Sequence, residues 1–140
     1  MSTPGRFRLS LDAKTGVPVY RQLIDQVFVA VASGALQPGD QLPTVRQLAV
    51  DLSINPNTVV RAYKELELRG MLMTQQGTGT FITAKKVKQD EAQRQRRLTH
   101  IVSEFLARAG ADGFTLDEVV SRLEELEPKG RTSRMVFHRA

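Results

Sequence analysis

The chain has 140 residues, of which 41% are hydrophobic and 25% are charged, with a formal net charge of +5 and no cysteine. This length suits one ordinary domain or a small domain with an appendage and excludes a large enzyme, and a chain without cysteine has neither disulfides nor thiolate metal sites. No run approaches the roughly 18 apolar residues that span a bilayer, and the first ten residues lack the apolar core of a signal peptide. We therefore expect a cytoplasmic protein without membrane contact.

The N-terminal third predicts a short strand and one long helix. Phe7, Leu9 and Leu11 alternate with polar residues, as in a half-buried strand. The helix has Pro18 near its opening turn and ends at Gly34. Its apolar stripe, which predicts core packing, is Tyr20, Leu23, Ile24, Val27, Phe28 and Val31. Residues 37–40 form a turn by their chemistry, with Leu36 and Leu42 expected in the core.

The middle of the chain predicts two further helices joined by a tight turn. Thr44 and Gln47 have the spacing of a capping box, so the second helix should begin at Val45. Its buried face should hold Val45, Leu48, Ala49 and Leu52. Asn55 is suited to cap the third helix, which would run to about Arg69 before Gly70.

The third helix divides its residues between two faces. Val59, Ala62, Tyr63 and Leu66 are spaced to pack inward, whereas Asn57, Thr58, Arg61 and Lys64 remain outward. Residues 71–75 and 80–83 then predict two strands joined through a tip that contains Gln76 and Gly77. Helix, turn, helix and hairpin in this order predict an α+β fold over residues 1–83. It is a winged helix-turn-helix, with three helices and a β-hairpin wing, which is a DNA-reading unit.

Two ordered motifs carry a family resemblance: Gly34-x-Leu36-x-Pro38-Gly39-Asp40-x-Leu42-Pro43-Thr44-x-Arg46 and Asn55-Pro56-Asn57-Thr58-Val59-x-Arg61-Ala62-Tyr63. They resemble the DNA-binding domain of the GntR family of bacterial transcription regulators, and the Asn-Pro-Asn-Thr-Val variant resembles its YtrA branch. The resemblance covers about residues 17–83. It implies a homodimeric regulator of double-stranded DNA, usually a repressor, which releases a palindromic operator when a small-molecule effector binds.

The DNA-binding candidates combine helix geometry with this resemblance: Thr44, Arg46, Asn55, Asn57, Thr58, Arg61, Lys64, Gln76 and Gly77. Arg46 and the wing tip match DNA contacts of related proteins, and Asn55 is expected to cap its helix more than to read bases. Arg61 could reach a phosphate or guanine, or pair with Glu65 one turn on. Related proteins often carry guanine-reading arginines where this chain has Pro56 and Val60. Their operator sequences therefore do not transfer to it.

The C-terminal part predicts two amphipathic helices after a basic run. The run, which could follow DNA phosphates or form a solvated helix face, is Lys85, Lys86, Lys88, Arg94, Arg96 and Arg97. The second helix carries a capping box at Thr115 and Glu118. Apolar stripes that need a partner contain Leu98, Ile101, Val102 and Phe105 on the first helix and Leu116, Val119, Val120 and Leu123 on the second.

These stripes make residues 84–127 a predicted two-helix dimerisation region. The alternative is that both helices pack back on the winged domain. Residues 128–140 predict a mobile tail. Only this small region remains for an effector site, where the resemblance would lead us to expect a large effector domain.

The residue inventory predicts neither a metal site nor catalysis. His100 and His138 lack the companions of a zinc site, and no nucleophile has a recognisable base partner. We expect no cofactor and no enzymatic activity. The main hypothesis is a sequence-specific transcription regulator. The alternatives are a winged-helix protein-interaction module and a small ligand sensor whose DNA binding is secondary.

Overall fold

A computed structural model describes residues 7–83 and 90–128, and these two ranges belong to two compact units. The first unit contains α1 (Val19–Ser33), β1 (Gln41–Leu42), α2 (Val45–Leu52), α3 (Pro56–Leu68), β2 (Leu72–Gln75) and β3 (Gly79–Ile82). The second unit contains α4 (Glu91–Ala111) and α5 (Leu116–Glu125). The predicted α+β class, a winged helix-turn-helix followed by two helices, is confirmed.

Helix α1 forms the layer that covers the helix-turn-helix. It starts after Pro18 and stops at Gly34, whose φ of 88° is a left-handed conformation that glycine adopts without strain. Leu23, Ile24 and Val27 of its predicted stripe are buried. The predicted bounds and inner face of this helix are therefore correct.

Helices α2 and α3 begin at the residues that the caps predict. The Thr44 hydroxyl oxygen accepts a hydrogen bond from the Gln47 backbone N–H at 3.0 Å, but the Gln47 amide donates to Asp51 at 2.7 Å. Only half of the predicted capping box is therefore observed at this start. The Asn55 carboxamide oxygen accepts from the Asn57 N–H at 2.8 Å, as predicted for the cap of α3.

The sheet has three antiparallel strands in the order β1-β3-β2. The two wing strands lie within one residue of their predicted bounds, and Gln75 pairs with Gly79 at the tip. Strand β1 was not predicted, because two residues carry no periodicity. It forms by pairing, with Gln41 opposite Phe81 in the neighbouring strand.

The predicted N-terminal strand is absent from the described residues, although Phe7, Leu9 and Leu11 do pack against the core. Side chains of α1 provide the hydrogen bonds that a neighbouring strand would supply. Ser10 exchanges two bonds with the Gln26 carboxamide, at 3.0 and 2.6 Å, and Gln22 bonds the Asp12 backbone. The apolar alternation therefore reports packing on a helix.

The hydrophobic core lies in the first unit. All buried residues among those described fall between Leu23 and Ile82, and Val27, Val59 and Leu66 are completely enclosed. No described helix is long and apolar enough to cross a membrane. Because the buried side chains of α3 pack against α1 and α2, the opposite face of α3 points outward.

The second unit consists of α4 and α5. The predicted capping box is confirmed, with Thr115 and Glu118 bonding each other's backbone N–H. Neither helix has a buried residue. The predicted tail, apart from Pro128, and the lysines of the basic run lie outside the described residues.

Candidate nucleic-acid interface

The outward face of α3 combines polar, basic and apolar side chains. Asn57, Val60, Arg61 and Lys64 recur at helical spacing and are all exposed. The opposite face is buried through Val59, Ala62, Tyr63 and Leu66. The core therefore holds the helix by one side and presents the other, which is the arrangement by which a recognition helix enters a major groove.

A buried hydrogen bond connects α3 to the start of α2. The Tyr63 hydroxyl donates to the Pro43 carbonyl oxygen at 2.7 Å, and the side chain is almost fully buried. Desolvation by burial raises the pKa of Tyr63 well above its ordinary value of 10.0. This neutral donor fixes the chain immediately before Thr44, and so orients the first turn of α2 relative to α3.

Two predicted DNA contacts lie at that first turn. Thr44 is the N-cap, and its hydroxyl oxygen accepts from Gln47. Arg46 follows as the second helical residue and is exposed. In the described part of the chain Arg46, Arg61 and Lys64 have no ion pair, whereas Arg21 pairs with Asp25 at 3.5 Å. Three cationic groups thus remain available to an anionic partner.

The first turn of α3 holds the other polar candidates. Asn55 is occupied by its capping bond, in agreement with the capping role expected for it. Asn57 is exposed and Thr58 is partly buried, so Asn57 has the freer side chain for a base or phosphate contact.

Arg61 does not form the pair with Glu65, which was one of the two arrangements that the sequence left open for it. Its guanidinium lies 3.7 Å from the ring centroid of Tyr20 in α1. Glu65, the expected competitor, instead pairs with Arg69 at 2.9 Å. The Arg61–Glu65 alternative is therefore not observed, because Arg61 lies against an aromatic ring of α1, and contact of Arg61 with a phosphate or guanine stays a prediction.

The wing tip is a turn of residues 76–78 between β2 and β3. Gln76 and Gly77 are exposed, and Gly77 has a φ of 80° with open space around it. The Gln41 side-chain amide donates to the Thr78 carbonyl at 3.2 Å, which ties the tip to β1. Because β1 leads directly into α2, the wing and the first turn of α2 share one short connection.

Three features of this surface were not predicted from the sequence. They are the Tyr63–Pro43 bond, the Tyr20–Arg61 stack, and Val60, which is 43% exposed among polar neighbours. A buried tyrosine signals that its hydroxyl needs a partner, but the sequence does not identify that partner. An exposed valine on such a face can contact a thymine methyl group.

The predicted dimerisation residues lie on α4 and α5. Leu98, Ile101, Val102 and Phe105 are each about half exposed on α4. Leu116 and Leu123 are similarly exposed on α5, whereas Val119 and Val120 are partly buried. His100 forms an exposed pair with Glu104, and the described residues contain no cluster suited to a metal ion.

The fold and its exposed basic face define a winged helix-turn-helix DNA-binding protein. The model of the gntR family of bacterial regulatory proteins matches residues 19–82. The uncharacterized HTH-type transcriptional regulator YhcF of Bacillus subtilis is 37% identical over 114 residues, which cover 81% of this chain and 93% of YhcF. The chain therefore belongs to the GntR family and is a transcriptional regulator.

Two further relatives carry the name YtrA. The HTH-type transcriptional repressor YtrA of Bacillus subtilis is 44% identical over 75 residues, which cover 54% of this chain and 58% of that repressor. The structure of YtrA from Sulfolobus acidocaldarius, a GntR-family transcription factor, has a TM-score of 0.54 at 30% identity. The matched region covers 71% of this chain and 97% of the Sulfolobus protein. The predicted likeness to the YtrA branch is confirmed.

Proposed function

We propose that this regulator is a homodimeric repressor that places one α3 in each half of a palindromic operator. The observation that carries this proposal is the exposed stripe of Asn57, Val60, Arg61 and Lys64 on a helix whose other face is buried. Side chains of these types form hydrogen bonds, salt bridges and methyl contacts in a major groove. The name of the repressor YtrA supports the sign of regulation. Because operator DNA lies in the cytoplasm, we also propose a cytoplasmic location.

The apolar face of α4 supports the dimer. Its four large apolar residues are half exposed, and no described residue of 90–128 is buried. Contiguous exposed apolar surface of this kind is typical of protein interfaces. Two helices from each subunit would bury these faces in a shared four-helix core.

A groove between α4 and α5 supports release by an effector. It measures about 630 Å³ and is lined by the aromatic rings of Phe105 and Phe114, by Arg108 and Arg122, and by four acidic residues. Phe105 also belongs to the proposed dimer face, so a ligand in the groove would compete with that interface. Apolar walls with a few charged groups are typical of small-molecule sites. A metabolite bound there should raise the melting temperature of the full chain and weaken operator binding. A metabolite screen in which no compound does both would contradict this part of the proposal.

Chromosomal mapping tests the repressor directly. The tagged full chain is cross-linked to DNA in the source organism, and transcripts are compared with those of a deletion strain. We expect occupancy at discrete promoters and higher transcript levels from those promoters after deletion. A strain carrying Arg46→Ala at the same protein level should lose this occupancy.

Other outcomes of the mapping would contradict separate parts of the proposal. Lower transcripts after deletion would make the protein an activator. Occupancy without preferred sites would contradict the sequence-specific reader. If occupancy showed no preferred sites and Arg46→Ala still bound the proteins that associate with the tagged wild-type chain, the protein-interaction alternative would replace our proposal.

A further inference from the structure

We propose that Tyr20 is a positioning residue that holds Arg61 ready to bind a backbone phosphate of the operator. This inference rests on the proposed function, because it requires that α3 approaches DNA. Tyr20 lies in the first turn of α1, and Arg61 projects from α3 toward it. The guanidinium stands 3.7 Å from the ring centroid, well within the range of a cation–π interaction.

The stack leaves the hydrogen-bonding capacity of Arg61 unused. A guanidinium that faces a ring keeps its N–H donors around its edge, in the plane of the group. Within the described residues Arg61 donates no hydrogen bond and makes no ion pair, since Glu65 is held by Arg69. The donors are therefore available for bidentate binding of an anionic oxygen pair, which phosphate provides.

The surroundings of the stack fit a phosphate. Tyr20 and Arg61 line a shallow notch of about 330 Å³ together with Val19, Asn57 and Thr58. Asn57 and Thr58 contribute an amide and a hydroxyl, which commonly bond phosphate oxygens. None of the residues that line the notch is acidic. The notch therefore offers donors to an anion and no like charge to repel it.

A second aromatic–arginine pair provides a matched control. Phe28 on α1 and Arg69 at the C-cap of α3 lie eight residues beyond Tyr20 and Arg61, with the guanidinium 5.5 Å from the ring. Eight residues correspond to about 12 Å along a helix, so this pair is displaced from the first turns of α1 and α3. Phe28→Leu removes similar packing without touching Arg61.

Binding of the full-length protein to its selected operator and to unrelated duplex tests the proposal over a series of salt concentrations. If Tyr20 positions Arg61, Tyr20→Leu should lower affinity by about threefold for each half-site, or about tenfold for a dimer, on both DNAs. Tyr20→Phe, which retains the ring, should restore it, and Phe28→Leu should stay within about twofold of wild type. In an Arg61→Met background, Tyr20→Leu should have no further effect.

The salt series separates a phosphate contact from base reading. Arg61→Met removes the proposed phosphate contact, so it should weaken binding to both DNAs alike. It should also make the slope of log affinity against log salt shallower by about one for each half-site. A loss confined to the operator would show base reading and overturn the phosphate assignment. An additive effect of Tyr20→Leu in the Arg61→Met background, or no rescue by Tyr20→Phe, would overturn the positioning role.

Melting curves establish that each variant is folded. If Tyr20→Leu is unfolded, Tyr20→Met replaces it, because methionine retains side-chain length without an aromatic face. Failure of the proposed function has a different signature, since the wild-type chain would then bind operator and unrelated duplex equally. Failure of the Tyr20 proposal would leave that wild-type preference intact.

Discussion

At the residue scale, Arg46 is the side chain that we expect to contribute most to operator binding. It is exposed on the first turn of α2 and has no ion pair in the described structure. Arg46→Ala should weaken operator binding by about 1 to 3 kcal/mol, as measured by fluorescence anisotropy at constant salt. Arg69→Ala removes the same charge from the far end of α3 and should change affinity much less. Equal losses of operator affinity in the two variants would show that Arg46 contributes only its charge and makes no specific contact.

Tyr63 contributes to stability through its buried hydroxyl. Tyr63→Phe leaves the Pro43 carbonyl without its hydrogen bond and should lower the free energy of unfolding by about 1 kcal/mol at neutral pH. The pKa of Tyr63 is raised by burial, so the unfolded chain loses this proton more readily than the folded one. The stabilisation should therefore be complete below the ordinary pKa of 10.0 and decline as pH rises above it, by at most about 1.4 kcal/mol per unit.

Urea unfolding of wild type and Tyr63→Phe over a pH series measures this contribution. Other groups also titrate in alkaline solution, and the comparison subtracts their common effect. The difference in stability between the two proteins should shrink above pH 10.0. A difference that stays constant there would show that ionisation of Tyr63 does not oppose folding.

At the element scale, two glycines separate the stability of the wing from its contact with DNA. Gly79 has a φ of 138°, and an added Cβ would contact the Gln41 side-chain amide. Gly77 has a φ of 80°, and an added Cβ there would have no atom within 4 Å. Both alanine variants should lose about 1 to 2 kcal/mol of stability through the backbone, and Gly79→Ala should lose more because the Gln41–Thr78 bond is displaced.

Operator affinity should follow the opposite order for the two wing variants. Gly77→Ala adds a methyl group at the tip, where the backbone would approach DNA, so it should weaken binding beyond what its stability loss explains. Thermal unfolding and anisotropy on the same samples measure both effects. Unchanged affinity for a folded Gly77→Ala would remove the tip from the interface.

Local chemistry accounts for the elements that the sequence predicts correctly. Thr44, Asn55 and Thr115 cap the helices that they were expected to cap, because a cap depends on neighbours within three residues. Strand β1 and the Tyr20–Arg61 stack depend on residues brought together by folding, and a single sequence does not reveal such pairs. The prediction of an N-terminal strand was wrong for the same reason. The backbone of this segment bonds the Gln22 and Gln26 side chains of α1 instead of a neighbouring strand.

At the scale of the whole molecule, the proposed dimer depends on the apolar face of α4. Phe105→Asp places a charge on that face and should dissociate the dimer. Sedimentation equilibrium should then report a monomer and operator affinity should fall, because two linked half-sites bind far more tightly than one. Ser103→Asp adds the same charge to an exposed position outside the stripe and should remain dimeric. A dimer that survives Phe105→Asp would contradict this interface.

Selection of bound sequences from a random DNA pool, with the full chain at near-physiological salt, tests the central claim most directly. A dimer that inserts one α3 into each of two half-sites should select a palindrome whose half-sites lie about one helical turn apart. Val60 should favour thymine at one position of each half-site, and replacement of that thymine by uracil should weaken binding. Recovery of unrelated sequences without a shared motif would leave only charge attraction and contradict a sequence-specific regulator.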